Sequence, residues 1–115
     1  MNAPDEASSL FVYGRLVDEA HRIELIGRRV EAIAATLRDY ERGRGRHFFI
    51  LPRPGASTIG LLLIGLSDAE FVDLDEYEEV PTLYTREKVA VELTDRAHAR
   101  CWIYQPTPTT LAKLR

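Results

Sequence analysis

The sequence predicts an α+β fold in which a small mixed β-barrel carries short flanking helices. About six segments have the short apolar or alternating character of β-strands, while only two carry clear signals for the start and end of a helix. So many strands with so few helices in 115 residues favour a compact barrel over a helical bundle or a doubly wound sheet.

The first third of the chain predicts a strand, a turn and a helix. The strand covers residues 10–13 and ends in a tight turn at Gly14. Apolar residues then recur at helical spacing over 18–26, where Asp18 can cap the start and Gly27 can close the end. A turn that directly follows a first strand is a common place for a functional site.

The middle of the chain predicts strands separated by turns. Residues 30–37 fit a helix by periodicity and a strand by length. Two glycines and alternating arginines predict an exposed turn or loop over 39–46. Residues 48–51 predict a strand, 52–56 a turn, and 58–64 a strand that is buried on both faces.

The last third predicts a helix and a pair of strands. Ser67 followed by Glu70 is a capping-box pattern, which predicts a helix from about residue 68 to about residue 77. Alternating apolar residues over 84–93 and again over 99–105 predict two paired antiparallel strands.

Composition indicates one ordinary domain. Hydrophobic residues make up 45% of the chain and charged residues 29%, which allows a buried core without disulfides or metals. The net charge of −3 and the scattered arginines argue against a nucleic-acid partner. Cys101 is the single cysteine, and the three histidines lack the spacing of metal ligands, so we expect no metal and no cofactor.

We expect a flexible N-terminal segment over 1–8, one domain over 9–105, and a tail over 106–115 that is either loose or packed against the domain. The N-terminal segment is polar, and no apolar run approaches the length of a membrane span, so we expect no membrane partner and a cytoplasmic location.

Five acidic residues crowd the segment 73–79, and their simplest interpretation is the solvated end of a helix. Helical phase separates them, because at about 100° per residue Glu78 falls between Phe71 and Leu74 on the apolar side. Burial disfavours a charged carboxylate and raises its pKa toward neutrality, where it can both accept and return a proton. Glu78 is therefore the candidate general acid and base.

A second candidate feature is residues 11–16, which read Phe-Val-Tyr-Gly-Arg-Leu; such a turn can leave backbone N–H groups free to hold an anion. This run resembles the Tyr-Gly-Ser/Thr-Leu signature of γ-glutamylcyclotransferase-like and AIG2-like proteins. The resemblance continues in order through Pro-Arg-Pro-Gly at 52–55, Gly-Leu-Leu at 60–62, Leu-Asp-Glu-Tyr-Glu at 74–78 and Tyr-Thr-Arg at 84–86. It spans about residues 9 to 104.

The resemblance implies the barrel fold and a strand at 30–37. It also implies a reaction in which the α-amine of a γ-glutamyl amide attacks its own γ-carbonyl, releasing 5-oxoproline and an amine or amino acid. That reaction needs neither an enzyme nucleophile nor a metal. The expected partner is a small γ-glutamyl substrate, and the chain is expected to be a monomer or a homodimer.

The resemblance also assigns residues to roles. Glu78 would move the proton, and the backbone N–H groups of Tyr13, Gly14, Arg15 and Leu16 would hold the glutamyl α-carboxylate and help stabilise the oxyanion. Tyr84 would form a wall of the pocket, and Arg86 would support Glu78 or face solvent. His47 stands near the position where many family members carry a Tyr before a Pro, but here Phe48 follows, and we expect His47 to be an exposed or packing histidine at a strand edge.

Position 15 departs from the family signature, because Arg15 stands where family members have a small hydroxyl residue. Its side chain could reach a substrate carboxylate, pair with Glu78 and lower the Glu78 pKa, or fill the pocket. Two other functions therefore stay open. One is a non-catalytic binding module of the same fold, and the other is a protein-interaction domain that docks through an apolar surface or through residues 107–114.

Overall fold

Strands dominate the computed structural model, which describes residues 4–44 and 48–114. Within these ranges five strands close a barrel in the order β1-β3-β2-β4-β5. The strands are β1 (Leu10–Val12), β2 (Glu31–Arg44), β3 (Phe48–Ile64), β4 (Tyr84–Leu93) and β5 (His98–Pro106). The helices are α1 (Glu19–Ile26), α2 (Asp68–Tyr77) and α3 (Pro108–Leu114), and 3-10 turns cover Glu6–Ser8 and Arg15–Val17. The predicted α+β barrel is confirmed.

Strand pairing places the short β1 between two longer strands. It runs antiparallel to β3, with Val12 opposite Leu61, and parallel to β5, with Leu10 opposite Trp102. All other pairs in the barrel are antiparallel. Because β1 is flanked on both edges, the chain that follows it is fixed at one end of the barrel.

The core has two parts because β1 is buried on both faces. Phe11 packs inside the barrel with residues such as Leu62 and Ile103. Leu10 and Val12 point to the other side, where they pack with Phe71 and Leu74 of α2 and with neighbouring strand residues. Helix α2 is thereby held against the barrel beside the end of β1.

The predicted turn at 52–56 is wrong, and the two strands predicted on either side of it are one strand, β3. Pairing with β2 passes from Ser57 opposite Arg38 to Pro52 opposite Tyr40, so residues 53–56 lie opposite Asp39 alone. The Asp39 carboxylate accepts a hydrogen bond of 2.9 Å from the Gly55 N–H. Proline and glycine here mark a bulge in a continuous strand, a structure that shares its residue preferences with turns.

Two further predictions about the antiparallel pair β2 and β3 need correction. Strand β2 continues through 39–44, where a loop was predicted, because pairing with β3 satisfies its backbone while the side chains of Arg38 and Arg42 stay exposed. Residues 45–47, including His47, lie outside the described ranges. Residues 58–64 are not buried on both faces throughout, since Ile59 is 77% exposed.

Both predicted helices are confirmed. The Asp18 carboxylate accepts a hydrogen bond from the His21 N–H at the start of α1, and Gly27 follows its end with a φ of 91°. Helix α2 begins with the predicted capping box between Ser67 and Glu70. Among the described residues, no helix has the length and hydropathy that crossing a membrane requires.

Both ends of the described chain pack on the barrel. The tail forms α3, where the Thr107 hydroxyl accepts a hydrogen bond from the Thr110 N–H, and Thr110 is buried. Near the other end, Glu6 forms ion pairs with Lys88 (2.9 Å) and Arg100 (3.1 Å). Residues 1–3 lie outside the described ranges.

Candidate active site

The site begins where β1 leaves the barrel, and a glycine on β3 fixes how closely β1 packs there. A Cβ atom at Gly60 would collide with the Val12 carbonyl oxygen and with the ring of Phe11. Only glycine therefore allows the two strands to approach this closely. This packing sets the position of the residues that follow Val12.

The turn after β1 has backbone N–H groups that its own hydrogen bonds do not use. The first bonds within the turn are donated by Val17 to the Gly14 carbonyl oxygen and by Asp18 to the Arg15 carbonyl oxygen, both at 3.1 Å. The N–H groups of Arg15 and Leu16 precede these donors, as at the start of any helical turn. Successive free N–H groups suit an anion.

The end of α2 places Glu78 by a Schellman motif. Glu78 keeps helical backbone angles, and its N–H donates to the Leu74 carbonyl oxygen at 2.9 Å. Glu79 then turns left-handed, with a φ of 53°, and the Val80 N–H closes the motif on the Asp75 carbonyl oxygen at 2.9 Å. Because Glu78 remains in helical phase, its side chain points to the same side as Leu74, as the sequence predicted.

One cavity of about 330 Å³ lies between this helix end and the turn. It brings together six residues singled out by the sequence: Tyr13, Gly14, Arg15, Leu16, Glu78 and Tyr84. The other residues that line it are Phe11, Val12, Phe48, Tyr77, Glu79, Leu83 and Tyr104. Its volume lies at the lower end of the range that is typical of small-molecule sites.

The carboxyl group of Glu78 is poorly solvated, and no described residue neutralises it. Desolvation by burial raises its pKa to about 7. Among the residues in ranges 4–44 and 48–114, none gives this carboxylate a hydrogen bond or an ion pair. A carboxyl group in this state can exchange protons near neutral pH.

Two tyrosines form walls of the cavity with their hydroxyls directed elsewhere. The Tyr13 hydroxyl donates to the Tyr104 carbonyl oxygen at 2.7 Å, and the Tyr84 hydroxyl donates to the Phe48 carbonyl oxygen at 3.0 Å. Burial, and to a smaller degree the charge of Glu78, raises the pKa of Tyr84 to about 12. Both phenols are therefore neutral walls at physiological pH.

Arg15 lines the cavity with an exposed side chain. In the described part of the chain it forms no ion pair with Glu78, and the cavity beside it is open. Of the three outcomes considered for Arg15, this structure shows neither pairing with Glu78 nor a filled pocket.

Arg86 neither supports Glu78 nor faces solvent freely, so that prediction is wrong. Its Nε lies 3.0 Å from Asp75 Oδ1, and its Nη2 donates to Asp75 Oδ2 at 3.2 Å. The guanidinium also lies 4.5 Å from the ring centres of both Phe71 and Trp102. Strand β4 thus directs Arg86 toward α2, where Asp75 is its partner.

Tyr104 was not predicted as a site residue, yet it lines the cavity, and its hydroxyl donates a hydrogen bond to Asp75 Oδ1 at 2.6 Å. The alternation of side chains along β5 was sufficient to predict the face on which Tyr104 lies. Cys101 and Ile103 face the barrel interior, so Tyr104 falls on the opposite face, toward α2.

Comparison with known proteins gives a consistent family. A family model described as γ-glutamyl cyclotransferase, AIG2-like, matches residues 10–114. AIG2-like protein D of Arabidopsis thaliana is 41% identical over 91 residues, which cover 76% of this chain and 58% of that protein. The chain spans about half the length of the curated relatives it matches.

Solved structures show the same fold. The solution structure of an Arabidopsis thaliana protein matches with a TM-score of 0.81 at 24% identity, covering 94% of this chain and 74% of that one. A structure described as a γ-glutamyl cyclotransferase matches with a TM-score of 0.75 at 21% identity, covering 87% and 66%. At these identities the likeness concerns the fold.

Proposed function

The chain belongs to the γ-glutamyl cyclotransferase, AIG2-like family, and on that premise we propose that it converts γ-glutamyl amides or peptides to 5-oxoproline and a free amine or amino acid. Glu78 is the general acid and base of this proposal. The observation that carries it is the Glu78 carboxyl group, which lines the cavity opposite the turn at 14–16, has no partner among the described residues, and has a pKa raised to about 7.

The first step is a proton transfer followed by attack within the substrate. Ionised Glu78 accepts a proton from the α-ammonium group, and the freed amine attacks the γ-carbonyl carbon to form the five-membered ring. Nucleophile and electrophile belong to one molecule, so holding the glutamyl chain in a folded conformation supplies much of the rate. A pKa near neutrality lets Glu78 be ionised for this step at physiological pH.

The second step breaks the amide bond. Protonated Glu78 donates its proton to the departing nitrogen, the bond from that nitrogen to the γ-carbon breaks, and 5-oxoproline and the amine leave. Glu78 returns to its ionised form, so one carboxyl group serves as base and then as acid. The ring nitrogen still carries two protons after the attack, so ionised Glu78 also accepts the second of these and passes it to the departing amine, which leaves in its ammonium form.

The turn supplies the anion site. In this proposal the backbone N–H groups of Arg15 and Leu16 bind the glutamyl α-carboxylate and stabilise the negative charge that develops on the γ-carbonyl oxygen in the ring-forming step. Gly14 permits this arrangement by packing closely on Phe48, since a Cβ at Gly14 would lie 3.1 Å from the Phe48 Cβ. Tyr13 and Tyr84 line the same cavity.

A substrate panel tests the proposal. The purified protein would be incubated with γ-glutamyl dipeptides and γ-glutamyl amines, and 5-oxoproline would be followed by mass spectrometry beside Glu78→Gln and Glu76→Gln variants. Glu76 is an exposed residue of the same helix and makes a matched control. We expect release by the native protein and by Glu76→Gln, and a loss of roughly 100-fold or more in Glu78→Gln.

The proposal fails if no member of the panel yields 5-oxoproline. It also fails in its assignment of the acid and base if Glu78→Gln keeps the native rate. In the first case, binding of a γ-glutamyl compound without turnover, seen by calorimetry, would identify the chain as a binding module of this fold.

A further inference from the structure

Four tyrosines line the cavity beside Glu78, and none of their hydroxyls bonds to it. Each is hydrogen-bonded to another group: Tyr13 to the Tyr104 carbonyl oxygen (2.7 Å), Tyr84 to the Phe48 carbonyl oxygen (3.0 Å), Tyr77 to His21 Nε2 (2.9 Å) and Tyr104 to Asp75 Oδ1 (2.6 Å). Carbonyl and carboxylate oxygens only accept hydrogen bonds, so the protons of Tyr13, Tyr84 and Tyr104 are committed to these partners.

The hydrogen bond from Tyr104 differs from the others because its acceptor, Asp75, also forms an ion pair with Arg86. Asp75 Oδ1 accepts a hydrogen bond from Tyr104 and lies 3.0 Å from Arg86 Nε in an ion pair, and Asp75 Oδ2 accepts a hydrogen bond from Arg86 Nη2. Two contacts from one guanidinium fix the plane of the carboxylate, and a hydrogen bond to a charged acceptor is short and strong. Arg86 is itself held between the rings of Phe71 and Trp102.

We propose that Asp75 is a positioning residue which, together with Arg86, holds the hydroxyl proton of Tyr104 away from the Glu78 carboxylate. The inference rests on the proposed function for its catalytic meaning. A hydroxyl that donates to a carboxylate stabilises the charged form and lowers its pKa, which would take Glu78 out of the range in which it returns a proton near neutral pH.

Tyr104 and Glu78 line the same cavity. Burial, then the hydrogen bond to Asp75, and to a smaller degree the charge of Glu78 raise the pKa of the Tyr104 phenol. If Asp75 no longer accepted the proton, the Glu78 carboxylate, which faces the same cavity and has no partner among the described residues, would be available as an acceptor. The Tyr104 hydroxyl would then turn toward it.

The other ionisable groups facing Glu78 come from every element around the cavity. They are Tyr13 at the end of β1, Arg15 in the turn, Tyr84 on β4, Tyr104 on β5, and Tyr77 and Glu79 beside it. Removing Asp75 also removes a negative charge near these groups and leaves Arg86 unpaired. This charge effect is independent of the Tyr104 hydroxyl, so a double variant separates the two.

The test is a titration of the Glu78 carboxyl carbon by NMR in protein labelled with ¹³C at glutamate, assigned with Glu78→Gln. The variants are Asp75→Ala, Tyr104→Phe and the two combined. We expect Asp75→Ala to lower the Glu78 pKa by roughly one unit or more. Tyr104→Phe alone should leave the Glu78 pKa unchanged. In the double variant the Glu78 pKa should return most of the way to its native value.

The inference is overturned if Asp75→Ala leaves the Glu78 titration unchanged, or if the same drop occurs whether residue 104 is Tyr or Phe. Asp75→Asn repeats the comparison if the alanine variant does not fold. The titration needs no substrate, so it gives a result even where no 5-oxoproline is released. Absence of turnover in the native protein would count against the proposed function alone.

Discussion

The raised pKa of Glu78 has a consequence for stability that can be measured without a substrate. The variant is Glu78→Gln, which keeps the size and shape of the side chain and removes its charge. A carboxyl group whose pKa is higher in the folded state makes the folded protein hold a proton that the unfolded chain releases. The free energy of unfolding of the native protein should therefore decrease as pH rises, and the glutamine variant should lack the part of this decrease that comes from Glu78.

The magnitude follows from the size of the shift. Burial raises the Glu78 pKa from 4.5 to about 7, and each unit corresponds to about 1.4 kcal/mol, so the full effect is up to about 3 kcal/mol. Below pH 4.5 the group is protonated in both states and the effect is absent. It develops between pH 4.5 and 7 and is complete at pH 8.

The assay is urea unfolding of the native protein, Glu78→Gln and Glu76→Gln at intervals from pH 4 to pH 8. We expect the native protein and Glu78→Gln to be nearly equal in stability at pH 4 and the variant to be more stable by up to about 3 kcal/mol at pH 8. Glu76 is exposed, so Glu76→Gln should follow the native protein. A stability difference between Glu78→Gln and the native protein that does not change with pH would refute the reasoning.

Three further substitutions have expected outcomes. Gly14→Ala should reduce kcat/KM and lower the unfolding free energy by roughly 1 kcal/mol, because the added methyl group would press on Phe48; kinetics and thermal unfolding check this. Glu79→Gly should raise stability by roughly 1 kcal/mol, because Glu79 has a φ of 53°; unchanged urea unfolding would contradict it. Arg15→Ser should raise KM for γ-glutamyl amino acids more than for γ-glutamyl amines, because only the former carry a carboxylate on the leaving group; equal effects in steady-state kinetics would contradict it.

Local signals in the sequence predicted α1 and α2 well. Asp18 caps the start of α1, Gly27 follows its end, and the capping box at Ser67 begins α2. These ends were predictable because each depends on residues only a few positions apart. The phase of Glu78 was predictable for the same reason, since its backbone remains helical beyond Tyr77. The side of α2 to which Glu78 points is thus a local property.

Contacts between distant segments were not predictable in the same way. The pairing of Arg86 with Asp75, and of Asp75 with Tyr104, joins β4, α2 and β5, and none of these residues carries a local signal for its partner. The bulge in β3 was missed because proline and glycine favour both bulges and turns, and only pairing with β2 distinguishes them.

The measurement that tests the central claim most directly compares the Glu78 titration with the pH dependence of 5-oxoproline release in the same protein. The acid side of the kcat/KM profile reports the free enzyme's catalytic base. If Glu78 is that base, kcat/KM should decrease as the pH is lowered below about 7, and the carboxyl carbon should titrate with the same pKa. A rate that stays constant through the pH range in which Glu78 becomes protonated would contradict the account.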